Sequence, residues 1–255
     1  MSFQPFHHTI VATDVVGSSA RHDQLQLKMR DDLRGVLERT LRRQDLDLAE
    51  LAPTDLGDGF RLHAPAAVSP LAMVSPFVDN LVTELRVHRQ SANERSRLRL
   101  RVAIHMGLLN REPHGGWAGI VLSECARLLD APAARDLIAD APDADLVLVV
   151  SDAVFDAVVR QGYGPAPEQF RRIPVTVKES NFSAWAYLPA PWVAAAADSS
   201  AVRRTVAANG PTAPADTAGM PSAGSGVVLG SAHAVIGPTG GTWFTAGRRA
   251  AGDGV

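Results

Sequence analysis

The chain has 255 residues, 46% hydrophobic and 20% charged, with a formal net charge of −2. That length allows one sizeable domain with extensions or two small ones, and the near balance of charge gives no footing for bulk binding to nucleic acid or an anionic membrane. Cys125 is the single cysteine, the N-terminus shows no basic stretch followed by an apolar run, and the longest strongly apolar run, Leu146 to Val150, is far too short to span a bilayer. The expectation is a soluble cytoplasmic protein without disulfides.

His8 to Thr13 is a β-rich apolar run and reads as the first strand, ending in an acid, Asp14. A turn containing Gly17 and a helix-start signal follow. Leu25, Met29, Leu33, Val36, Leu37 and Leu41 form one apolar helical stripe. Leu46 to Ala52 reads as a strand and Phe60 to His63 as its partner, with a β-hairpin turn at Gly57-Asp58-Gly59. Leu71 to His88 is a second amphipathic helix. Leu98 to about Leu109 alternates with the period of a strand. Gly119 to Leu129 is a third helix, followed by a shorter one near Ala133 to Ala139. Leu146 to Val150 is a buried strand, and Ser151 caps a helix reaching about Arg160. Ile173, Val175 and Val177 mark another strand, and Ala184 to Leu188 the last. Near Pro191 the composition shifts to Ala, Gly, Pro, Ser and Thr. Residues 207–226 read as a flexible linker, and Val227 to Phe244 as an apolar, glycine-punctuated island suited to docking on a protein partner. The domain plan is a folded unit at 1–190 and a disordered tail at 191–255. Mixed helices and hairpin-linked strands predict an α+β, ferredoxin-like arrangement with a mixed or antiparallel sheet.

Two acids stand out. Asp14 ends a strand and Asp58 sits at a hairpin tip, so pairing of that hairpin beside the first strand brings both carboxylates to one end of the sheet. Close carboxylates repel and are relieved by a cation; hard oxygen donors suit Mg²⁺ or Mn²⁺ with a triphosphate completing the shell. Taken singly, Asp14 reads first as a helix cap and Asp58 as an ordinary hairpin residue. His7, His8 and His105 lie on strands that approach one another if they pair, and read as hydrogen-bonded strand residues before ligands. Arg97, Arg99 and Arg101 alternate on one strand face and read as a solvated or interface face, with nucleotide contact as the lesser alternative. Arg127 alone reads as a surface partner of Glu124 or Asp130. Cys125 reads as a packed small residue.

Several of these stretches together resemble the class III nucleotide cyclases, the superfamily of adenylyl and guanylyl cyclase catalytic domains. Asp14-Val-Val-Gly17-Ser18 is similar to the first metal motif, and Gly57-Asp58-Gly59-Phe60 to the hairpin with the second metal aspartate. Arg101-Val-Ala-Ile-His-Met-Gly107 resembles the central strand, Gly119 through Arg127-Leu128 the helix bearing a catalytic arginine, and Val177-Lys178 the site of a late phosphate-binding lysine. The resemblance covers roughly His7 to Pro189.

It implies that Asp14, Asp58 and the Val15 carbonyl hold two divalent cations, Mg²⁺ or Mn²⁺, on a nucleoside triphosphate. Arg127 would neutralise the reacting phosphoryl oxygens, Lys178 the outer phosphates, and the turn at Gly17 and Ser18 would offer backbone N–H groups. The product would be a 3′,5′-cyclic nucleotide and pyrophosphate. Metal aspartates and arginine would come from different subunits of a head-to-tail homodimer. Three positions depart from the purine-cyclase pattern: the base-reading lysine falls at Thr54, the base-reading acid at Gly116, and the ribose-orienting asparagine at Ser123. Three readings follow: a cyclase with altered base choice, as in the bacterial pyrimidine cyclases of phage defence; a purine cyclase reading the base with other residues; and a catalytically inactive nucleotide-binding or dimerisation module in signalling.

Overall fold

The computed structural model describes residues 4–177 and 180–189. Lys178 and everything from residue 190 onward, including the apolar motif at 227–244, lie outside the described residues. Strand β1 (Phe6–Val15) leads through one 3₁₀ turn (Ser18–Ala20) into helix α1 (Asp23–Arg42). The hairpin β2 (Thr54–Asp55) and β3 (Phe60–Pro65) precedes helices α2 (Pro70–Val74) and α3 (Pro76–Ser91). Then come β4 (Leu100–Arg111), β5 (Trp117–Ala118), α4 (Ile120–Leu129), α5 (Pro132–Ala139) and β6 (Leu146–Ser151). A single α turn, α6 (Asp152–Val154), runs into a π-helical turn at Phe155–Val159, and β7 (Arg171–Val177) and β8 (Ser180–Tyr187) close the sheet.

The sheet runs β2-β3-β1-β4-β6-β8-β7, with β5 paired to the far end of β4. Among the described strands only β4 and β6 pair in parallel. Strand alternation divides the apolar side chains between two faces. Val11, Val15, Val102 and Ile104 pack with Leu33, Leu37, Phe77, Leu81 and Leu85 of α1 and α3. Ile10, Ala12, Ala103 and Val149 pack with Val121, Cys125 and Leu128 of α4 and with Ala134 of α5. Covered on both faces, β6 is buried along its whole length, which is why it reads as an unbroken apolar run. The fold is the α+β arrangement expected.

Two local expectations are corrected and a third is refined. Residues 46–52 are not a strand: Leu48–Leu51 is a 3₁₀ turn that buries Leu48 and Leu51 three residues apart, started by the Asp47 side chain accepting from the Ala49 N–H. The helix expected over 71–88 is two helices, broken at Ser75, because Pro76 has no N–H to continue the ladder and instead opens α3. The helix after Ser151 widens into a π turn, with the Arg160 N–H reaching the Phe155 carbonyl at 2.8 Å. That widening accompanies burial of Phe155, Val158 and Val159 together, with Phe155 stacked on Trp185 at 3.8 Å.

Candidate functional site

Register brings the site together. Asp14 lies near the C-terminal end of β1, and its partner on β4 is Arg101, whose guanidinium bonds the Asp14 carboxylate. On the other side, regular β1–β3 pairing ends at Ala12↔Arg61. Beyond it the buried Thr13 hydroxyl donates to the Phe60 carbonyl (3.2 Å) and accepts from the Phe60 N–H (3.0 Å), and the Val15 N–H donates to the Asp58 carbonyl (3.0 Å). Gly59 makes this approach possible. A Cβ there would overlap the Thr13 carbonyl and lie 3.1 Å from Asp14 Cα. With no side chain at 59, the hairpin lies against β1 and Asp58 comes beside Asp14. Ser18 then holds Asp58, its hydroxyl donating to Oδ2 at 2.9 Å. The turn that presents Ser18 needs Gly17, whose φ is +73°. A 3₁₀ turn follows, and the long helix carrying the Leu25–Leu41 stripe begins at Asp23.

Burial raises the Asp14 pKa to about 6; the neighbouring Asp58 pushes the same way, and Arg101 opposes both. Two carboxylates and one guanidinium thus leave one net negative charge in a half-buried corner of oxygen donors, which fits a hard divalent cation. Among the described residues no group of three or more His, Cys, Asp or Glu side chains is placed to hold a metal ion by itself. A cation here would take two carboxylates from the chain and complete its shell with carbonyl, water or substrate oxygens. A cleft of about 300 Å³ lined by Ser18, Ser19, Gln26, Arg30 and Asp58 opens at this corner.

Helix α4 is docked tightly on β4. A Cβ at Gly119 would lie 2.8 Å from the Leu108 carbonyl, and one at Gly107 would meet Val121 at 3.3 Å. Cys125 is fully buried against Ile10 and Ala103, and burial pushes its thiol up to about 12. Glu124 contacts His105 Nε2 at 2.9 Å, while His105 Nδ1 meets the Ser151 hydroxyl at 2.8 Å, tying α4 through β4 to the start of α6. Ser123 and Arg127, one turn apart, stand on the outer part of α4, exposed and half-buried respectively. The surface pairing that Arg127 alone suggests is not what forms: Glu124 bonds His105, and Asp130 bonds Arg135 at 2.6 Å. Among the described residues Arg127 has no ion-pair partner within 4 Å.

Thr54 and Gly116, far apart in sequence, line one cleft of about 500 Å³ together with Arg61, Arg111, Glu112 and Trp117. Trp117 stacks on His63 at 5.1 Å, meets His8 edge-on at 4.9 Å and carries the Arg111 guanidinium 4.6 Å from its ring centre. The structure therefore joins Asp14, Val15, Asp58 and Ser18 in one corner, Thr54 and Gly116 in one cleft, and Ser123 with Arg127 on one helix. Thr13, Arg61, Glu112 and Trp117 are not marked as site residues by the sequence, and Arg101 is marked only as one of an arginine row. A threonine in an otherwise apolar buried strand was the available signal for Thr13; the others depend on cross-strand register.

The arginine row is also corrected. Arg97 pairs with Asp145 at 2.9 Å, Arg99 donates to the Ala141 and Ala144 carbonyls beyond the end of α5 at 2.8 and 2.9 Å, and Arg101 pairs with Asp14. All three are structural ties rather than a solvated face. His8 and His105 do lie on paired strands, but their rings bond different partners, Phe6 and Ser151.

No protein-family model and no curated protein matches the chain significantly. Solved structures do. The crystal structure of an adenylate/guanylate cyclase/hydrolase from Silicibacter pomeroyi aligns with a TM-score of 0.52 and 16% identity over 74% of this chain and 99% of that one. A bacterial light-regulated adenylyl cyclase aligns with a TM-score of 0.50 and 12% identity over 71% of this chain and 90% of that one. The chain carries the fold of the class III adenylyl and guanylyl cyclase catalytic domains.

Proposed function

We propose that the chain is a metal-dependent nucleotide cyclase that converts a nucleoside triphosphate into a 3′,5′-cyclic nucleotide and pyrophosphate. The observation that carries this reading is the corner in which Gly59 and Thr13 hold Asp58 against Asp14. Asp14 and Asp58, with the Val15 carbonyl beside them, would hold two divalent cations, Mg²⁺ or Mn²⁺. When bound, such cations neutralise the triphosphate and acidify the ribose 3′-hydroxyl. Ser18 fixes the Asp58 carboxylate, and the Gly17–Ser18 turn and Lys178 bind outer phosphates. Ser123 reaches the ribose. The 3′-oxygen attacks the α-phosphorus, the new O–P bond forms as the bond to pyrophosphate breaks, and the hydroxyl proton passes to solvent. Arg127 stabilises charge growing on the phosphoryl oxygens, a contact worth a few kcal/mol in the transition state. Its freedom from intrachain ion pairs among the described residues suits a role across the interface of a homodimer with shared sites. Residues 1–190 form the catalytic unit and 191–255 a tether with a docking motif for a protein partner, in the cytoplasm. No helix among the described residues is long and apolar enough to cross a membrane.

One observation favours a second reading, a non-catalytic nucleotide-binding or dimerisation module: Arg101 already bonds a carboxylate oxygen of Asp14. The test incubates purified protein with ATP, GTP, CTP and UTP plus Mn²⁺ and measures cyclic product by mass spectrometry, with Asp58→Ala as control. Product from wild type alone supports the cyclase. Binding without product from any triphosphate rejects it for the module.

A further inference from the structure

The cleft at the β4–β5 turn is shaped by two cross-strand pairs. In the β2–β3 hairpin Thr54 is the register partner of Arg61. In the turn after β4, the Glu112 N–H donates to the Gly116 carbonyl at 2.9 Å and the Gly115 N–H to the Glu112 carbonyl at 3.1 Å, so residues 112 and 116 face each other. A Cβ at Gly116 would overlap the Glu112 carboxylate. That carboxylate therefore occupies the space a side chain at 116 would fill. On the opposite wall Thr54 carries no charge, and its neighbour Arg61 brings a guanidinium into the same cleft.

Arg61 is held in a defined way. His63 Nδ1 lies 2.8 Å from the Ala52 carbonyl, which can only accept, so Nδ1 carries the proton. Nε2 then accepts from Arg61 Nε at 3.3 Å. Burial keeps this imidazole neutral, lowering its pKa to about 4. With Nε engaged, the terminal amino groups of Arg61 remain as donors. Among the described residues the Glu112 carboxylate has no ion-pair partner within 4 Å.

An ionised carboxylate only accepts and a guanidinium only donates. The complementary base edge has a ring N–H beside a carbonyl. Guanine and uracil have that edge; adenine and cytosine present a bare ring nitrogen, whose lone pair would face the carboxylate. We infer that this cleft is the base pocket, in which Glu112 accepts the ring N–H and Arg61 donates to the adjacent carbonyl, selecting guanine or uracil nucleotides over adenine and cytosine. The inference rests on the cyclase reading and names the substrate of that site. Guanine adds an exocyclic amine for the second oxygen of Glu112. Uracil adds a second carbonyl for Arg111, which Trp117 holds in place.

The test uses the full chain and four 3′-deoxynucleoside triphosphates, which lack the attacking hydroxyl and report binding without turnover. Calorimetry in Mn²⁺ gives each Kd, and competition among the four ordinary triphosphates gives relative rates of cyclisation. The guanine or the uracil analogue is expected to bind at least tenfold tighter than the adenine and cytosine analogues, since one charged base contact discriminates by roughly 10- to 100-fold. Glu112→Gln and Arg61→Gln should each erase most of that gap. Circular dichroism checks folding, and Glu112, on an exposed turn, is the safer of the two. Which analogue wins separates guanine from uracil. Preference for adenine or cytosine, or a preference unmoved by Glu112→Gln, overturns the inference; cyclic product in the same experiment would leave the cyclase reading standing. Failure of all four analogues to bind, with no product, overturns both.

Discussion

Gly59→Ala is the sharpest test of how the acidic corner is built. The added methyl would lie 2.7 Å from the Thr13 carbonyl carbon and 3.1 Å from Asp14 Cα, and would overlap the Thr13 oxygen. Unstrained carbon–carbon contacts lie near 3.5–4.0 Å, so the hairpin must retreat by about 1 Å. Three hydrogen bonds cross that seam, at 3.0, 3.0 and 3.2 Å. A retreat of about 1 Å stretches all three past useful length. At a net ~1 kcal/mol each, with a further cost of about 1–3 kcal/mol for leaving the buried Thr13 hydroxyl unpaired, the loss is roughly 4–6 kcal/mol. Urea unfolding of the metal-free protein measures it, and the Mn²⁺-dependent cyclase assay measures the accompanying separation of the carboxylates. Stability within about 0.5 kcal/mol of wild type, with unchanged turnover, would refute the claim that close backbone approach at Gly59 sets the distance between Asp14 and Asp58.

Thr13→Val keeps the shape of the side chain and removes both of its hydrogen bonds to Phe60; a loss of about 1–3 kcal/mol in urea unfolding is expected. Arg127→Ala should leave stability within about 0.5 kcal/mol of wild type while lowering turnover roughly 100- to 1,000-fold. Mixing it with Asp58→Ala should restore activity if the two residues act across a dimer interface, and no recovery in a mixture shown to exchange subunits would reject shared sites. Stability against pH, measured in EDTA, should expose two opposed titrations. His63, lowered to about 4 from 6.5, stays neutral in the fold while the unfolded chain takes up a proton, so its contribution is present above pH 6.5 and is lost as pH falls towards 4. Asp14, raised to about 6 from 3.8, binds its proton first in the fold, so its contribution grows as pH falls from about 6 and is lost as pH rises. Each is worth on the order of 3 kcal/mol, so relative to wild type Asp14→Asn should become more acid-sensitive and His63→Gln less so between about pH 6.5 and 4.5.

What the sequence made legible follows the range of the interaction involved. The first strand, the acid at its end and the Gly-Asp-Gly turn are local signals, and each appears where expected. Helix α4 is legible through its apolar spacing, with Ser123 and Arg127 on it. Leu46 to Ala52 misled because a 3₁₀ turn and a short strand both bury spaced leucines, and the capping by Asp47 settled the difference only locally. The ion pair of Arg101 with Asp14 required the β1–β4 register, which no local pattern specifies. Glu112 standing beside Gly116 required knowing that β4 extends to Arg111 and turns back through a strand only two residues long. Thr54 and Gly116 were legible as departures from the purine-cyclase pattern, whereas the charged groups beside them in the cleft emerge only when the hairpins close.

The lone thiol under α4 offers a built-in reporter. Cys125 is sealed between the helix and the strands carrying Ile10 and Ala103, and as a neutral thiol it does not react with disulfide reagents in place. Labelling must wait for α4 to lift from the sheet, so the modification rate is a clock for the undocking of the helix that bears Arg127. Slower labelling with triphosphate present would show that ligand clamps that helix down, in solution and without any engineered probe.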